Sequence, residues 1–252
     1  MKKSQQWAII GAAAVVAVVV VIAGIMWINH ATAPASSTAT ATKSSQVQKG
    51  AGKQATAADK QRLQKERAAD PVFEKYERYG LTYAETQYAR NMPISMVGDS
   101  LTVGSEYGFK EIFPKINLDA QVGRQATAGP AILSAWADQG QLAHTVIVEL
   151  GTNGRITADL VAQIEQICGA KRRIFWVGVN AVGREWESDD NALMRKMARK
   201  YSNLTFVNWY AESQSHEDWF NDDAVHPNAK GQKYFFTFVA KSVLKPTVAA
   251  QK

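Results

Sequence analysis

The sequence predicts an α/β protein: a three-layer α/β/α domain around a central parallel sheet of about five strands. From residue 93 onward, apolar runs at 94–97, 116–120, 145–150, 174–180 and 204–208 alternate with helical patterns at 103–112, 128–138, 158–168, 189–201 and 229–243. Strand and helix in alternation argue for a parallel sheet covered on both faces. Turns containing Gly98-Asp99-Ser100, Gly123 and Gly151-Thr152-Asn153 follow three of the strand candidates. In such sheets the loops beyond the strands' C-terminal ends form the ligand crevice, so these turns can converge although they are far apart in sequence. A chain of 252 residues, 46% hydrophobic and 21% charged, has room for one sizeable packed domain with attachments.

The attachments come first. Residues 7–28 carry no charge and are rich in Ala, Val and Ile; at about 1.5 Å per residue they reach roughly 33 Å, enough for a hydrocarbon core of about 30 Å. Lys2 and Lys3 precede this run and no Lys or Arg follows before Lys43, which places the N-terminus in the cytoplasm and the rest outside the cell membrane. Trp7 and Trp27 stand at its ends as interfacial anchors. Ala31-Thr32-Ala33 resembles a signal-peptidase site, but the apolar run exceeds the roughly 7–15 residues of a signal h-region, which favours an uncleaved anchor. Residues 31–57, mostly Ala, Ser, Thr, Gln, Lys and Gly, have too few large apolar groups to offset ordering entropy and read as a flexible stalk. Residues 58–90 read as a lead-in of one or two helices, broken near Asp70-Pro71 and again at Gly80. The domain proper is expected over 91–252.

The net charge of +6 belongs to the attachments, because residues 1–70 hold nine Lys/Arg against three Asp/Glu and the remainder is balanced. A formally neutral domain does not fit nucleic acid as a partner. The sequence contains no cluster spaced to bind a metal and no cofactor fingerprint, and Cys168, the single cysteine, falls on the apolar face of a helical pattern.

Chemistry concentrates on Ser100. It ends an apolar run and opens a helical segment, so its own amide and the positive helix end would face a developing oxyanion. A serine hydroxyl needs a base, and His226 is the candidate. Asp223, three residues earlier, would orient the imidazole and stabilise the imidazolium, with Asp222 as its rival. Gly123 offers a backbone N–H that a substrate can approach closely, and Asn153 an amide donor. Glu149 is a charge inside an apolar strand and requires a partner that the sequence does not identify. His144 and His216 read as structural.

Four blocks, Gly98-Asp99-Ser100-Leu101, Gly123, Gly151-Thr152-Asn153 and Asp223-Ala224-Val225-His226, together resemble the SGNH (GDSL) hydrolase superfamily over roughly residues 90–245. That family has a flavodoxin-like sheet. The resemblance implies Ser100, Asp223 and His226 as the triad, and the Ser100 amide, Gly123 and Asn153 as the oxyanion hole. Gly154 stands where the family commonly has Asp. This departure, with 122–125, 180–186 and 223–228, resembles the extracytoplasmic SGNH domains of peptidoglycan O-acetyltransferases. The implied activity is that of a serine acyl-esterase or O-acyltransferase working through a seryl ester on O-acetyl groups of cell-wall glycan. Arg124, Gln125, Arg155, Arg184 and Trp186 are candidates for holding the substrate, although packing is the competing role for Trp186 as for Trp209 and Trp219. With one span in the sequence, acetyl transfer would call for a separate membrane protein as acyl donor. Two rival functions are a lipid esterase or thioesterase, which would need a long apolar groove, and a catalytically silent glycan-binding module.

Overall fold

The computed structural model describes residues 56–249. The apolar run at 7–28 and the stalk up to residue 55 lie outside the described residues; among those described, no helix is long and apolar enough to cross a membrane.

The lead-in contains three helices. α1 (Ala57–Ala68) starts from a capping box between Thr56 and Asp59 and buries no residue. α2 (Pro71–Tyr76) has Asp70 as N-cap, accepting from the amides of Val72 and Phe73, with Pro71 at its first position, where a missing N–H costs nothing. α3 (Tyr83–Ala89) carries a second capping box, Thr82 with Glu85. Between α2 and α3 the chain reverses at Gly80, whose φ of 87° suits glycine. Phe73, Tyr76, Leu81 and Ala89 are buried, and burying a large apolar side chain contributes about 1.5–3 kcal/mol. Residues from α2 onward are therefore part of the packed body, whereas α1 contributes little to it.

The sheet consists of β1 (Ile94–Gly98), β2 (Ile116–Ala120), β3 (Thr145–Glu149), β4 (Arg173–Val177) and β5 (Leu204–Val207). All pair in parallel, in the order β2-β1-β3-β4-β5. The connecting helices are α4 (Ser100–Ile112), α5 (Gly129–Asp138), α6 (Ala158–Cys168), α7 (Glu187–Lys200), the short α8 (Trp209–Ser213) and α9 (Ala229–Ala249). The three-layer fold expected from sequence is observed. β4 ends three residues before the expected limit because the N–H and C=O of Val179 are taken by the side chain of Asn191, at 3.0 and 2.8 Å, and not by a neighbouring strand.

Alternate side chains of each strand enter opposite layers. Ile94, Met96, Ile147, Phe175 and Val207 join α3, α4, α8 and α9 in one apolar core. Val97, Val146, Val148, Ile174, Trp176 and Leu204 join α5, α6 and α7 in the other. Trp209 and Trp219 stack at 5.8 Å within the first core and are buried, and His216 stacks on Trp219 at 3.8 Å; packing is the role the structure gives all three. With both faces covered, the C-terminal ends of the strands are left to carry the site.

Candidate active site

β1 delivers Ser100 through a turn that depends on two close contacts. A Cβ at Gly98 would come within 2.1 Å of Thr102 Oγ1, so only glycine lets the first turn of α4 fold back onto the strand end. Asp99 then caps the helix by accepting from the Leu101 amide at 3.1 Å. The Asp99 amide itself bonds to Glu149 O and Oε2, both at 3.1 Å, and that of Thr102 to Glu149 Oε2 at 3.2 Å. A helix begins with four amides that lack intrahelical partners. Three of them are consumed here, leaving that of Ser100 without a protein acceptor among the described residues.

The base arrives from the loop before α9. His226 Nε2 lies 2.9 Å from Ser100 Oγ, and Nδ1 lies 2.7 Å from Asp223 Oδ2. The other carboxylate oxygen, Oδ1, accepts the amides of Val225 and His226, both at 2.9 Å. Partial burial works against the charge, but the amides of His226 and Val225 and then the imidazole prevail and hold the Asp223 carboxyl at about 2. Asp222 is exposed and lines a different cavity; of the two rivals, the structure brings only Asp223 to the imidazole.

The glycine and asparagine candidates approach from β2 and β3. Gly123 turns the chain with φ of 75°, and a side chain placed there would meet nothing, so the position is open to a ligand. Asn153 Nδ2 lies 3.3 Å from both Asp99 Oδ2 and Arg124 O. It therefore joins the nucleophile turn to the Gly123 turn, and its two hydrogens rest on long bonds that an oxyanion can replace.

Beneath this lies the partner for Glu149 that sequence could not name. Glu149 Oε2 accepts from the Asp99 amide at 3.1 Å, the Thr102 amide at 3.2 Å and the Thr102 hydroxyl at 2.8 Å. Its carboxyl also meets that of Asp99. Burial first, then the Asp99 charge, pushes Glu149 well above the ordinary carboxyl range, and burial raises Asp99 as well. Two carboxyls in a dry site retain a proton between them. The pair thus binds the first turn of α4 to the end of β3.

The residues expected to hold substrate divide. Arg124 is buried, and its guanidinium donates to Gly98 O at 3.1 Å, Asp119 O at 2.7 Å and Asp119 Oδ1 at 2.6 Å. This corrects the substrate-contact expectation, since those donors are spent joining β2 to β1. Arg155 is exposed and pairs with Asp189 at 3.1 Å. Trp186 donates its indole N–H to Gly151 O at 2.9 Å, and Arg184 lies 5.8 Å over its ring. Gln125 lies across Gly154, where a Cβ would sit 2.3 Å from Gln125 Oε1. A cleft of about 200 Å³ opens beside the triad candidates, lined by Thr152, Asn153, Val182, Arg184, Asp223 and His226. Among the described residues no group of His, Cys, Asp or Glu is placed to hold a metal.

A five-stranded parallel sheet with a Ser–His–Asp line at its C-terminal edge is the arrangement of an SGNH-type esterase or O-acetyltransferase, and the comparisons support that class. The chain is 33% identical over 149 residues to O-acetyltransferase OatA of Staphylococcus aureus, an alignment covering 59% of this chain and 24% of that protein. It is 30% identical over 147 residues to YrhL of Bacillus subtilis, provisionally named a peptidoglycan O-acetyltransferase, covering 58% and 23% respectively. The chain thus spans about a quarter of the length of the curated relatives it matches. Among solved structures, the C-terminal catalytic domain of Streptococcus pneumoniae peptidoglycan O-acetyltransferase A, with a methylsulfonyl adduct, has a TM-score of 0.56 at 17% identity, covering 62% of this chain and 93% of that one. That likeness shows a common fold. No protein-family model matches the chain. Both relatives are named as O-acetyltransferases, and the B. subtilis one as acting on peptidoglycan, the branch that the sequence blocks resemble.

Proposed function

We propose that the chain is a serine acyl-esterase or O-acyltransferase that acts through a seryl-acyl intermediate on O-acetyl groups of cell-wall glycan. The observation that carries this reading is the unbroken line Ser100 Oγ, His226, Asp223, with links of 2.9 and 2.7 Å. Ser100 Oγ attacks the acyl carbonyl carbon while His226 Nε2 takes its proton, and the imidazolium is stabilised by Asp223. The Ser100 amide, the Gly123 amide and Asn153 Nδ2 receive the oxyanion. Collapse breaks the bond to the leaving sugar oxygen, which takes the proton from His226 and leaves an acyl-serine. Water or a second hydroxyl then attacks with His226 again as base, giving free acid or a new ester.

The small volume of the cleft supports a short acyl group over the long chain of a lipid. The S. aureus and B. subtilis relatives, named as O-acetyltransferases, support the acetyl group, and the second name supports peptidoglycan. We place the domain outside the cell, held to the membrane by residues 7–28, and assign delivery of acetyl groups, where transfer occurs, to a separate membrane protein. The test is hydrolysis of 4-nitrophenyl acetate by the protein and by its Ser100→Ala variant. A loss on the order of 10³–10⁶ is expected on removing the nucleophile, and equal rates would exclude Ser100. Adding a chito-oligosaccharide acceptor and weighing the products separates the two outcomes, acetylated sugar for transfer and acetate alone for hydrolysis.

A further inference from the structure

The loop that carries Asp223 and His226 contains an anomaly. Ala224, between them, has φ of 56°, and it is the one non-glycine residue with positive φ among the described residues. An L-residue with a Cβ rarely adopts this conformation, and it persists only where neighbouring groups impose it. The loop's own bonds, Ala224 N to Asn221 O at 2.9 Å and Asn221 N to His226 O at 3.0 Å, close a tight turn. They leave the carbonyl of Ala224 to be held from outside.

Asn180 is the group that holds it. Its Nδ2 donates to Ala224 O at 3.2 Å, and its Oδ1 accepts from Gln214 Nε2 at 3.2 Å. The second bond fixes which end of the amide faces Ala224, because reversal would set two NH₂ groups against each other. Asn180 is only 2% exposed. It is also rigidly mounted: on one side the backbone of Val179 is held by Asn191, and on the other the Ala181 amide donates to Glu187 Oε2 at 2.5 Å. Asn180 is absent from the lining of the cleft beside His226 and instead lines a separate cavity of about 470 Å³ with Gln214 and Ala224.

We propose that Asn180 is the positioning residue of the triad, holding Ala224 in its disfavoured conformation so that Asp223 and His226 meet, with Gln214 orienting the Asn180 amide. If the bond to Ala224 O were lost, the alanine would relax toward negative φ and turn the peptide units that carry the acid and the base. The catalytic part of this inference rests on the function proposed above; the structural part does not.

The experiment compares the full chain with its Asn180→Ala, Gln214→Ala and Asn180→Ala/Ala224→Gly variants, using 4-nitrophenyl acetate kinetics and amide hydrogen exchange read by mass spectrometry. Loss of a buried hydrogen bond predicts about a tenfold fall in kcat for Asn180→Ala with KM unchanged. Exchange over residues 221–226 should quicken by a similar factor while β1 stays protected. Gln214 is exposed, so its variant tests the relay without risk to folding, and about a threefold fall in kcat is expected. Glycine adopts φ near 56° without a Cβ penalty, so the double variant should regain most of the lost kcat. Three results would overturn the proposal: unchanged kcat and exchange in Asn180→Ala, faster exchange throughout the sheet, or a double variant no better than the single one. If the wild-type chain shows no Ser100-dependent hydrolysis, the functional reading falls and the exchange measurements alone decide the structural relay.

Discussion

Replacing Asp223 by Asn should cripple the enzyme for a reason visible in the loop. The two oxygens of Asp223 have different tasks: Oδ1 accepts the amides of Val225 and His226, while Oδ2 faces His226 Nδ1. Once an amide replaces the carboxylate, the two backbone donors claim its carbonyl oxygen and turn the NH₂ toward His226. That group donates to Nδ1, driving the ring proton to Nε2, where it can no longer accept from Ser100. Rotating the amide back sacrifices two hydrogen bonds at about 1 kcal/mol each and opposes donor to donor, so the productive orientation falls to on the order of 1 in 10². The imidazolium also loses its counter-charge. At a charge separation of about 4 Å this is worth about 1 kcal/mol in water and about 4 kcal/mol near a protein surface, and because both side chains are roughly half exposed a middle value is apt, another factor of about 10 to 10². The expected fall in kcat is on the order of 10³–10⁴, in keeping with the loss when a triad Asp becomes Asn. The assay is steady-state hydrolysis of 4-nitrophenyl acetate, with Asp222→Asn as control, expected within about threefold of wild type because surface changes are mild. If Asp223→Asn lost less than tenfold, or Asp222→Asn lost more than Asp223→Asn, the tautomer argument would be refuted.

Other predictions follow from other parts of the site. The small cleft of about 200 Å³ should favour acetyl over octanoyl esters in kcat/KM, and a preference for the longer chain would bring back the lipid-esterase reading. Glu149 keeps in the fold a proton that the unfolded chain releases near 4.5, so its contribution makes stability fall as pH rises from that value toward the raised one. Glu149→Gln mimics the protonated state, and the fall of Tm as pH rises above about 4.5 should flatten; parallel slopes would argue against a retained proton. Gly98→Ala forces a Cβ to within 2.1 Å of the Thr102 hydroxyl, and urea denaturation should register about 1–3 kcal/mol of lost stability, as overpacking costs. An unchanged midpoint would mean that the turn opens freely.

The sheet was legible because its strands are short apolar runs between strong punctuation. Thr157 caps α6 by accepting from Leu160 N, and Gly169 ends that helix, so 158–168 is observed as the sequence implied. The lead-in was less legible: its breaks at Asp70-Pro71 and Gly80 are local signals, but its packing against α9 depends on partners about 150 residues away. The site shows the same division. Ser100, Gly123, Asn153, Asp223 and His226 stand in recognisable blocks, whereas the positive φ of Ala224 between the acid and the base is a feature that spacing does not encode. Arg124 looked like a substrate contact because it adjoins Gly123; its engagement with Gly98 and Asp119 is a tertiary fact. Glu149 announced a partner by being charged in an apolar strand. That the partner is the Asp of the nucleophile block emerges only when β3 lies beside β1.

Cys168 lies fully buried at the end of α6, with its thiol pushed up to about 12 by burial. At neutral pH it holds almost no thiolate, and thiolate is the form that reacts with alkylating agents, disulfides and peroxides. The chain has no second cysteine. Its only native sulfhydryl is therefore chemically silent, and a cysteine introduced at any exposed position would accept a fluorophore, spin label or cross-linker as the sole reactive thiol, with no need to remove the native one first.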